Sequence, residues 1–501
     1  MICQNELKLN DRVIMNPMDL PLNWQTVRFE DVATFTKKPK GLRYTEYDEV
    51  PFVPMSLVPI ATLFSKDFIP KPSDKISSGT YFEPGNILLA KITPSFENGK
   101  QCIIKELPTP FGIATTEVIP IREVKGVSDK FYLFYYLLLP DVRSLLTERM
   151  QGTTGRLRLG TKTLAELEIP LPPLAEQRRI VAKLEMLFTQ LDAGVDSLKN
   201  AQIQLQRYRR SLLKAAFEGE LTREWREEHS GKLKPISVSK NSTLEGLPEL
   251  PDGWVWTWVK DLAEFIRGVS YRKNQSSKTP RSDYVPILRA NNINAQLNYE
   301  DLVYVPREKV KGEQFIKALD IIIAMSSGSK HLVGKAAQAH RDFEGGFGTF
   351  CGLLRVSQDV NQKFIGLFFQ SPIYRNEISR LSIGININNL RSENIETMLI
   401  PLPSIPEQEQ IVSELERCLS VADEVEATIA SELARAERLR QSILKHAFSG
   451  KLVPQDPNDE PASVLLEKIR NKKEDRQLKR QKKRKKIKIA SFVKQLPLPL
   501  D

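Results

Sequence analysis

The chain has 501 residues, too many for a single hydrophobic core, and its 41% hydrophobic content is ample for two to four globular domains. The formal net charge of +11 is local: residues 468–488 hold 13 Lys or Arg against Glu474 and Asp475, leaving 60 basic and 60 acidic residues elsewhere. Cys3, Cys102, Cys351 and Cys418 lie far apart with no CxxC pair, no apolar run reaches the roughly 18 residues of a membrane span, and MICQNELKLNDR lacks a signal-peptide core. Inert thiols, no disulfide framework, no zinc site and a soluble, cytoplasmic protein are therefore expected.

After a polar arm over residues 1–20, LPLNWQTVRFEDVATF opens a first domain over residues 21–172. Apolar and polar residues alternate after Trp24, as in a half-buried strand, and Asp31 is placed to cap a short helix. Short apolar runs bounded by Gly, Pro and Ser follow, NILLAKI from Asn86 and FGIATTEVIPI from Phe111, which read as buried strands, and KFYLFYYLLL reads as a helix. The domain closes on LEIPLPPLAEQRRIVAKLE from Leu167, whose prolines hold the backbone extended and forbid an earlier helix start.

A long helix over residues 173–219 comes next, with Leu184, Leu191, Leu198, Leu205 and Leu212 on a strict seven-residue period, stopped by Gly219. A polar linker over residues 220–249 leads to LPDGWVWTWVKDLAEF, the echo of the first opening at an offset of 230, where Asp261 is the capping candidate. The second domain, residues 250–403, repeats the landmarks as DIIIAMS, FGTFCGLLRV and KFIGLFFQS. It closes on MLIPLPSIPEQEQIVSELE, identical to the first block at 10 of 19 positions at an offset of 231. Ser404 and Glu407 have capping-box spacing before a second helix over residues 404–450, which carries Leu415, Ala422, Ile429 and Ile443. Both helices end in related sequences, SLLKAAFEGEL and SILKHAFSGKL, identical at 7 of 11 positions. Residues 451–501 form a tail with a short helix from Ala462 to Arg470 and the basic run.

Sustained heptads over helices of about 44 residues, roughly 65 Å at 1.5 Å per residue, point to a supercoiled pair rather than to helices packed on their own domains. Chain direction makes the pair antiparallel: one helix leaves the first domain for the second, and the other must run back. The expected fold is α+β, two similar domains separated by a pair of long antiparallel coiled-coil helices with pseudo-twofold symmetry.

Catalytic constellations are mostly absent, and nothing points to a paired-carboxylate nuclease site. GRLRLGTKT has one residue too many for a phosphate loop, GGFGTF lacks dinucleotide spacing, and neither His-Glu-x-x-His nor Gly-x-Ser-x-Gly occurs. The domains do carry groups suited to DNA, recurring at equivalent places: Lys91, Thr93, Asn98 and Lys100 after one buried strand, Ser326 and Lys330 after the other. ILRANNIN offers Arg289, Asn291 and Asn292; Arg156 and Arg158, or Asn386 and Asn388, precede the proline blocks. Arg and Lys pair with guanine edges or phosphates and Asn with adenine, while ordinary turn polarity is the competing reading for any one of them.

The doubled Ile-Pro-Leu-Pro, Glu-Gln, Ile-Val block at 169–181 and 400–412, the Ala-Phe-x-Gly helix ends, the Leu-Pro-x-x-Trp openings and PNDEPASVLLEKI resemble the specificity subunit of type I restriction-modification systems. The resemblance implies two target recognition domains, each reading one half of an asymmetric, bipartite site in double-stranded DNA. It implies helices that set the spacing and dock two methyltransferase (modification) subunits, with restriction (translocase/endonuclease) subunits joining that core. It implies no catalysis by this chain and no cofactor. No Asn/Asp-Pro-Pro-Tyr/Phe methylase motif is present. The alternative is a coiled-coil scaffold without sequence-specific DNA binding.

Overall fold

The computed structural model describes residues 20–153, 155–231, 246–328, 332–383, 389–468 and 470–471. The chain folds as two units, residues up to 196 with those from 433 onward, and residues 197–432. Each unit is α+β, so the two similar mixed domains and the two long helices expected from the repeat are found.

In the first unit Gln25–Arg28 pairs antiparallel with Glu168–Leu171, Val27 opposite Ile169, so the Ile-Pro-Leu segment is the partner strand of the Trp24 opening. A five-stranded sheet runs in the order Ala33–Phe35, Val118–Glu123, Ile87–Ala90, Gln101–Ile104, Phe64–Ser65. Ile87–Ala90 is buried throughout, which explains its unbroken apolar run. A four-stranded sheet is built from Ile69–Pro72, Glu49–Val53, Gly112–Ala114 and Thr80–Phe82. The second unit repeats this: Val255–Trp258 pairs with Leu399–Leu402, and a four-stranded sheet orders Ala263–Arg267, Cys351–Val356, Ile321–Ala324, Ala336–Gln338. A three-stranded sheet of Val303–Pro306, Tyr284–Leu288 and Gly346–Phe347 stands where the first unit has four strands.

The long helices are Leu174–Phe217 and Ile405–Phe448, 44 residues each. In the first unit Leu184 shares a core with Leu444, Ala447 and Phe448; in the second Leu415 shares one with Leu212, Ala216 and Phe217. The beginning of one helix thus lies beside the end of the other within each unit, the antiparallel sense the chain direction demands. Arg440 pairs with Asp192 in the first unit, its guanidinium 4.6 Å from the Phe188 ring centroid. Arg209 reaches Asp423 at 2.6 Å and Glu426 at 2.9 Å in the second. Of the heptad residues, Leu184, Leu212, Leu415, Ala422 and Ile429 are buried, whereas Leu191, Leu198, Leu205 and Ile443 are half-buried.

The Glu-Gln of the repeated block serves the heads. Gln177 donates to the carbonyls of Val127 (3.1 Å) and Pro172 (2.9 Å), and its oxygen accepts from the backbone N–H of Asp129 at 2.8 Å. Asp129 in turn caps Lys130–Tyr136, accepting from the N–H groups of Phe131 and Tyr132. Gln408 donates to the Pro403 carbonyl and accepts from Asn361 N–H, both at 2.8 Å, and Asn361 caps Gln362–Phe368 in the same way. One amide therefore ties the start of each long helix to the start of a head helix.

Two capping expectations fail. Asp31 and Asp261 lie inside one-turn helices, Phe29–Val32 and Val259–Leu262, whose N-cap residues make no side-chain cap hydrogen bond. The Ser404/Glu407 box does not form: Ser404 Oγ is buried without a partner. Glu407 instead accepts from Trp254 Nε1 (2.9 Å), Thr222 Oγ1 (2.8 Å) and Arg226 Nη1 (2.7 Å), three donors, one of them a guanidinium, which outweigh a single backbone N–H. In the first unit Glu176 accepts from Gln455 Nε2 at 2.6 Å, and Arg179 grips Asp459. The segment after the second helix is thereby held to the first unit, with Ala462 and Leu465 buried in helical residues 462–468. Gly219 and Gly450 end the helices at φ of +78° and +72°, and a Cβ there would lie 2.4 Å from Pro251 Cγ or 2.3 Å from Pro21 Cγ. Each helix stop is thus also the seat of a Leu-Pro-x-x-Trp opening. Most of the basic run lies outside the described residues.

Candidate nucleic-acid interface

In the first unit three separate segments converge beyond the end of Ile87–Ala90. Val118–Glu123 lies antiparallel to that strand with Val118 opposite Ala90, which brings Glu117 beside Lys91; Lys91 N–H donates to the Glu117 carbonyl at 2.9 Å. The third segment is a hairpin, Gln151–Thr153 with Arg156–Arg158, whose second strand returns across the loop. Leu159 N–H donates to the Lys91 carbonyl at 2.8 Å, Thr93 N–H to Leu157 O at 3.1 Å, and Ile92 forms an antiparallel bridge with Arg158. GRLRL, which superficially resembled a phosphate loop, is this exposed hairpin strand.

The loop of Lys91, Thr93, Asn98 and Lys100 and the strand of Arg156 and Arg158, expected from sequence as two separate sets, are therefore brought together. Asn98, Arg156 and Arg158 are exposed; Lys91 and Thr93 are half-buried, and Lys100 Nζ donates to Met55 O at 2.9 Å. Arg158 is held by Glu117, Nε to Oε2 at 3.0 Å and Nη2 to Oε1 at 2.9 Å. Hydrogen bonding to Arg158, with its charge and that of Lys91, holds the Glu117 carboxyl below the usual carboxylate range against the opposing effect of burial.

The loop that carries Asn98 is fastened from beneath. Arg143, on Pro140–Glu148, is buried and donates from Nε to Leu137 O and from Nη1 to Phe96 O, both 2.6 Å, and from Nη2 to Gln101 Oε1. Burial pulls its guanidinium down to about 9. At the same place on Pro372–Ile383, Arg375 donates to Val333 O in the matching loop of the second unit at 3.3 Å. Neither arginine was singled out from sequence; both are the fourth residue of a helix beginning with proline, a signal visible only once the two heads are superposed by strand register.

The second unit builds its tip on the same main-chain bonds. Cys351 stands opposite Ala324, Met325 N–H donates to Phe350 O at 2.9 Å, and Leu390 N–H to Met325 O at 2.7 Å. Ser326 bridges to Asn389, and its hydroxyl bonds the Asn389 side chain. Position for position, Lys91, Glu117, Arg158 and Leu159 correspond to Met325, Phe350, Asn389 and Leu390. Phe350 is 65% exposed, unusual for an aromatic ring in a well-packed head. Sequence reasoning missed Glu117, Phe350 and Asn389, because only the pairing of strands aligns FGIATTEV with FGTFCGLL.

Other expected residues fare differently. Asn291 is exposed. Asn292 is 1% exposed, and its side chain closes its own turn, accepting from Arg289 N–H at 2.9 Å and donating to Asn298 O and Glu300 O. Arg289 donates to Asp301 at its carbonyl (2.8 Å) and carboxylate (3.1 Å). It follows Leu288, whose carbonyl accepts from Gly348 N–H at 2.9 Å, so it sits near the Phe350 turn. Lys330, Asn386 and Asn388 lie outside the described residues.

A family model for the type I restriction modification DNA specificity domain matches residues 21–205 and again 251–435. The chain is 42% identical over 222 residues to the type I restriction enzyme EcoKI specificity subunit of Escherichia coli K12, covering 44% of this chain and 48% of that protein. To the StySPI specificity subunit of Salmonella potsdam it is 43% identical over 205 residues, 41% of this chain and 44% of the relative. The chain spans about half the length of these curated relatives in the matches. Among solved structures, a chain from work on complex assembly and conformational transition of the type I R-M system has the same fold, with a TM-score of 0.68 at 19% identity, covering 86% of this chain and 99% of that one.

Proposed function

Because this chain belongs to the type I restriction modification DNA specificity family, we propose that it is the sequence-specificity subunit of a type I restriction-modification complex. Each domain reads one half of a bipartite, asymmetric site in double-stranded DNA. The chain performs no catalysis of its own; it delivers two methyltransferase subunits, and with them restriction subunits, to the site, in the cytoplasm.

The observation that carries this reading is the pair of tips. Both are built from the same main-chain hydrogen bonds, and both present different side chains at equivalent positions: Lys91, Glu117 and Arg158 in one, Met325, Phe350 and Asn389 in the other. Equal geometry with unequal chemistry is what two readers of different short sequences require, since base edges are distinguished by the donor and acceptor groups that meet them. Lys91, Thr93, Asn98, Lys100, Arg156 and Arg158 form the first interface, and Ser326, Arg289 and Asn291 flank the second; Lys330, Asn386 and Asn388 lie outside the described residues. The helices supply the partner surface, where Ile203, Tyr208, Val421 and Val425 of the second unit are exposed apolar residues.

The test is to map methylated adenines genome-wide in cells carrying the modification subunits with and without this chain. A single two-part motif appearing only when the chain is present is expected. Adenine methylation without a shared motif would overturn the reading.

A further inference from the structure

We propose that Arg158, oriented by Glu117, reads a guanine of a G·C pair in the half-site contacted by the first domain; this rests on the DNA-reading function above. The Nε and Nη2 donors of Arg158 face Glu117. That leaves the end of the guanidinium, with both protons of Nη1 and the second proton of Nη2, as a free two-pronged donor. Guanine presents two acceptors, N7 and O6, to the major groove, and an arginine fork satisfies both at once. Adenine places its N6 amino group where guanine has O6, so the same fork would face a donor with a donor.

The carboxylate completes the match. Glu117 is used on one side by Arg158 and keeps acceptor capacity on its other lone pairs, with its side chain 23% exposed. The cytosine of the pair offers its N4 amino group, for which a carboxylate is a suitable acceptor. Donor fork beside acceptor thus mirrors the acceptor, acceptor, donor pattern along the major-groove edge of a G·C pair. The pair also differs from a phosphate contact: a neutralised Arg–Glu couple has little net attraction for an anionic backbone, and the carboxylate would repel it. Rigidity supports direct reading, because Arg158 is on a hairpin strand bridged to Ile92, and the adjacent Leu159 is bonded to Lys91.

The second domain lacks this device. Phe350 and Asn389 occupy the places of Glu117 and Arg158, so a substitution at 158 should leave the second half-site untouched, which supplies an internal control for folding and assembly.

The experiment maps methylated sites in cells co-expressing the modification subunits with the wild-type chain, Arg158→Ala, Arg158→Lys or Glu117→Gln. For Arg158→Ala we expect one G·C position of one half-site to lose its preference by about tenfold or more, with every other position retained. Arg158→Lys, which lacks the fork, should relax the same position, and Glu117→Gln, which loses the charge but keeps an acceptor oxygen, should relax it less. An unchanged motif in Arg158→Ala overturns the proposal, as does relaxation at an A·T position. So does a uniform loss of binding at all sites with a shallower salt dependence, the signature of a phosphate contact. A wild-type chain that directs methylation to no motif removes the functional reading itself, an outcome distinct from all of these.

Discussion

Replacing Glu407 with Ala tests the idea that the repeated Glu-Gln block is a structural lock. The Glu407 side chain is 1% exposed and Arg226, its partner at 2.7 Å, 12%. Removing the carboxylate strands a buried guanidinium, and it also orphans the Trp254 indole N–H and the Thr222 hydroxyl. Breaking one partner of a buried ion pair costs about 3 to 5 kcal/mol. At about 2 to 4 °C per kcal/mol for a unit of this size, the midpoint should fall by at least about 6 °C. Intrinsic fluorescence suits the measurement, because Trp225, Trp254, Trp256 and Trp258 all lie in the second unit and only Trp24 in the first. Combining Arg226→Leu with Glu407→Leu should recover much of the loss, since no buried charge is then left alone. A fall below about 2 °C in the single variant, or losses that simply add in the double, would refute the reasoning.

Arg143→Ala should destabilise the first unit by about 3 kcal/mol, from the loss of a buried cation's packing and the exposure of three unpaired oxygens. Thermal unfolding should show it, and methylation mapping should show poorer discrimination in one half-site only. Burial pushes the Cys102 and Cys351 thiols up to about 12. Folding therefore disfavours their thiolates, and both should resist Ellman's reagent at pH 8 until the protein unfolds, while half-buried Cys418 reacts; rapid labelling of either in the native chain would contradict this. Inserting seven residues between Leu198 and Leu205 lengthens the helix by about 10 Å, and the number of base pairs between the half-sites should change or binding should cease. A motif of unchanged spacing and affinity would count against the helices as a ruler.

Local patterns were readable in the residues themselves. The apolar run NILLAKI, the heptad leucines and the Gly stops report on near neighbours, and each became the strand, helix or helix end it resembles. What escaped notice was long-range. Ser404 and Glu407 have the spacing of a cap, but Arg226 and Trp254, more than 150 residues earlier, claim the carboxylate. Asn292 has the chemistry of an adenine reader, yet its amide is consumed by its own turn. Arg158 was visible as a donor, while its orientation by Glu117, 41 residues away, depends on how two strands meet. Asn389 lies one residue past the pair chosen from GININN.

The main-chain bonds that shape the two tips have a consequence for how such a protein changes over generations. The framework is carried by backbone groups that every residue type except proline possesses. Glu117 and Phe350, or Arg158 and Asn389, therefore exchange chemistry at matched positions without any change in the main-chain hydrogen bonds that shape the tips. A lineage can drift from one target to another through substitutions that folding does not penalise, so novelty in what is read and constancy in what is built are governed by different atoms.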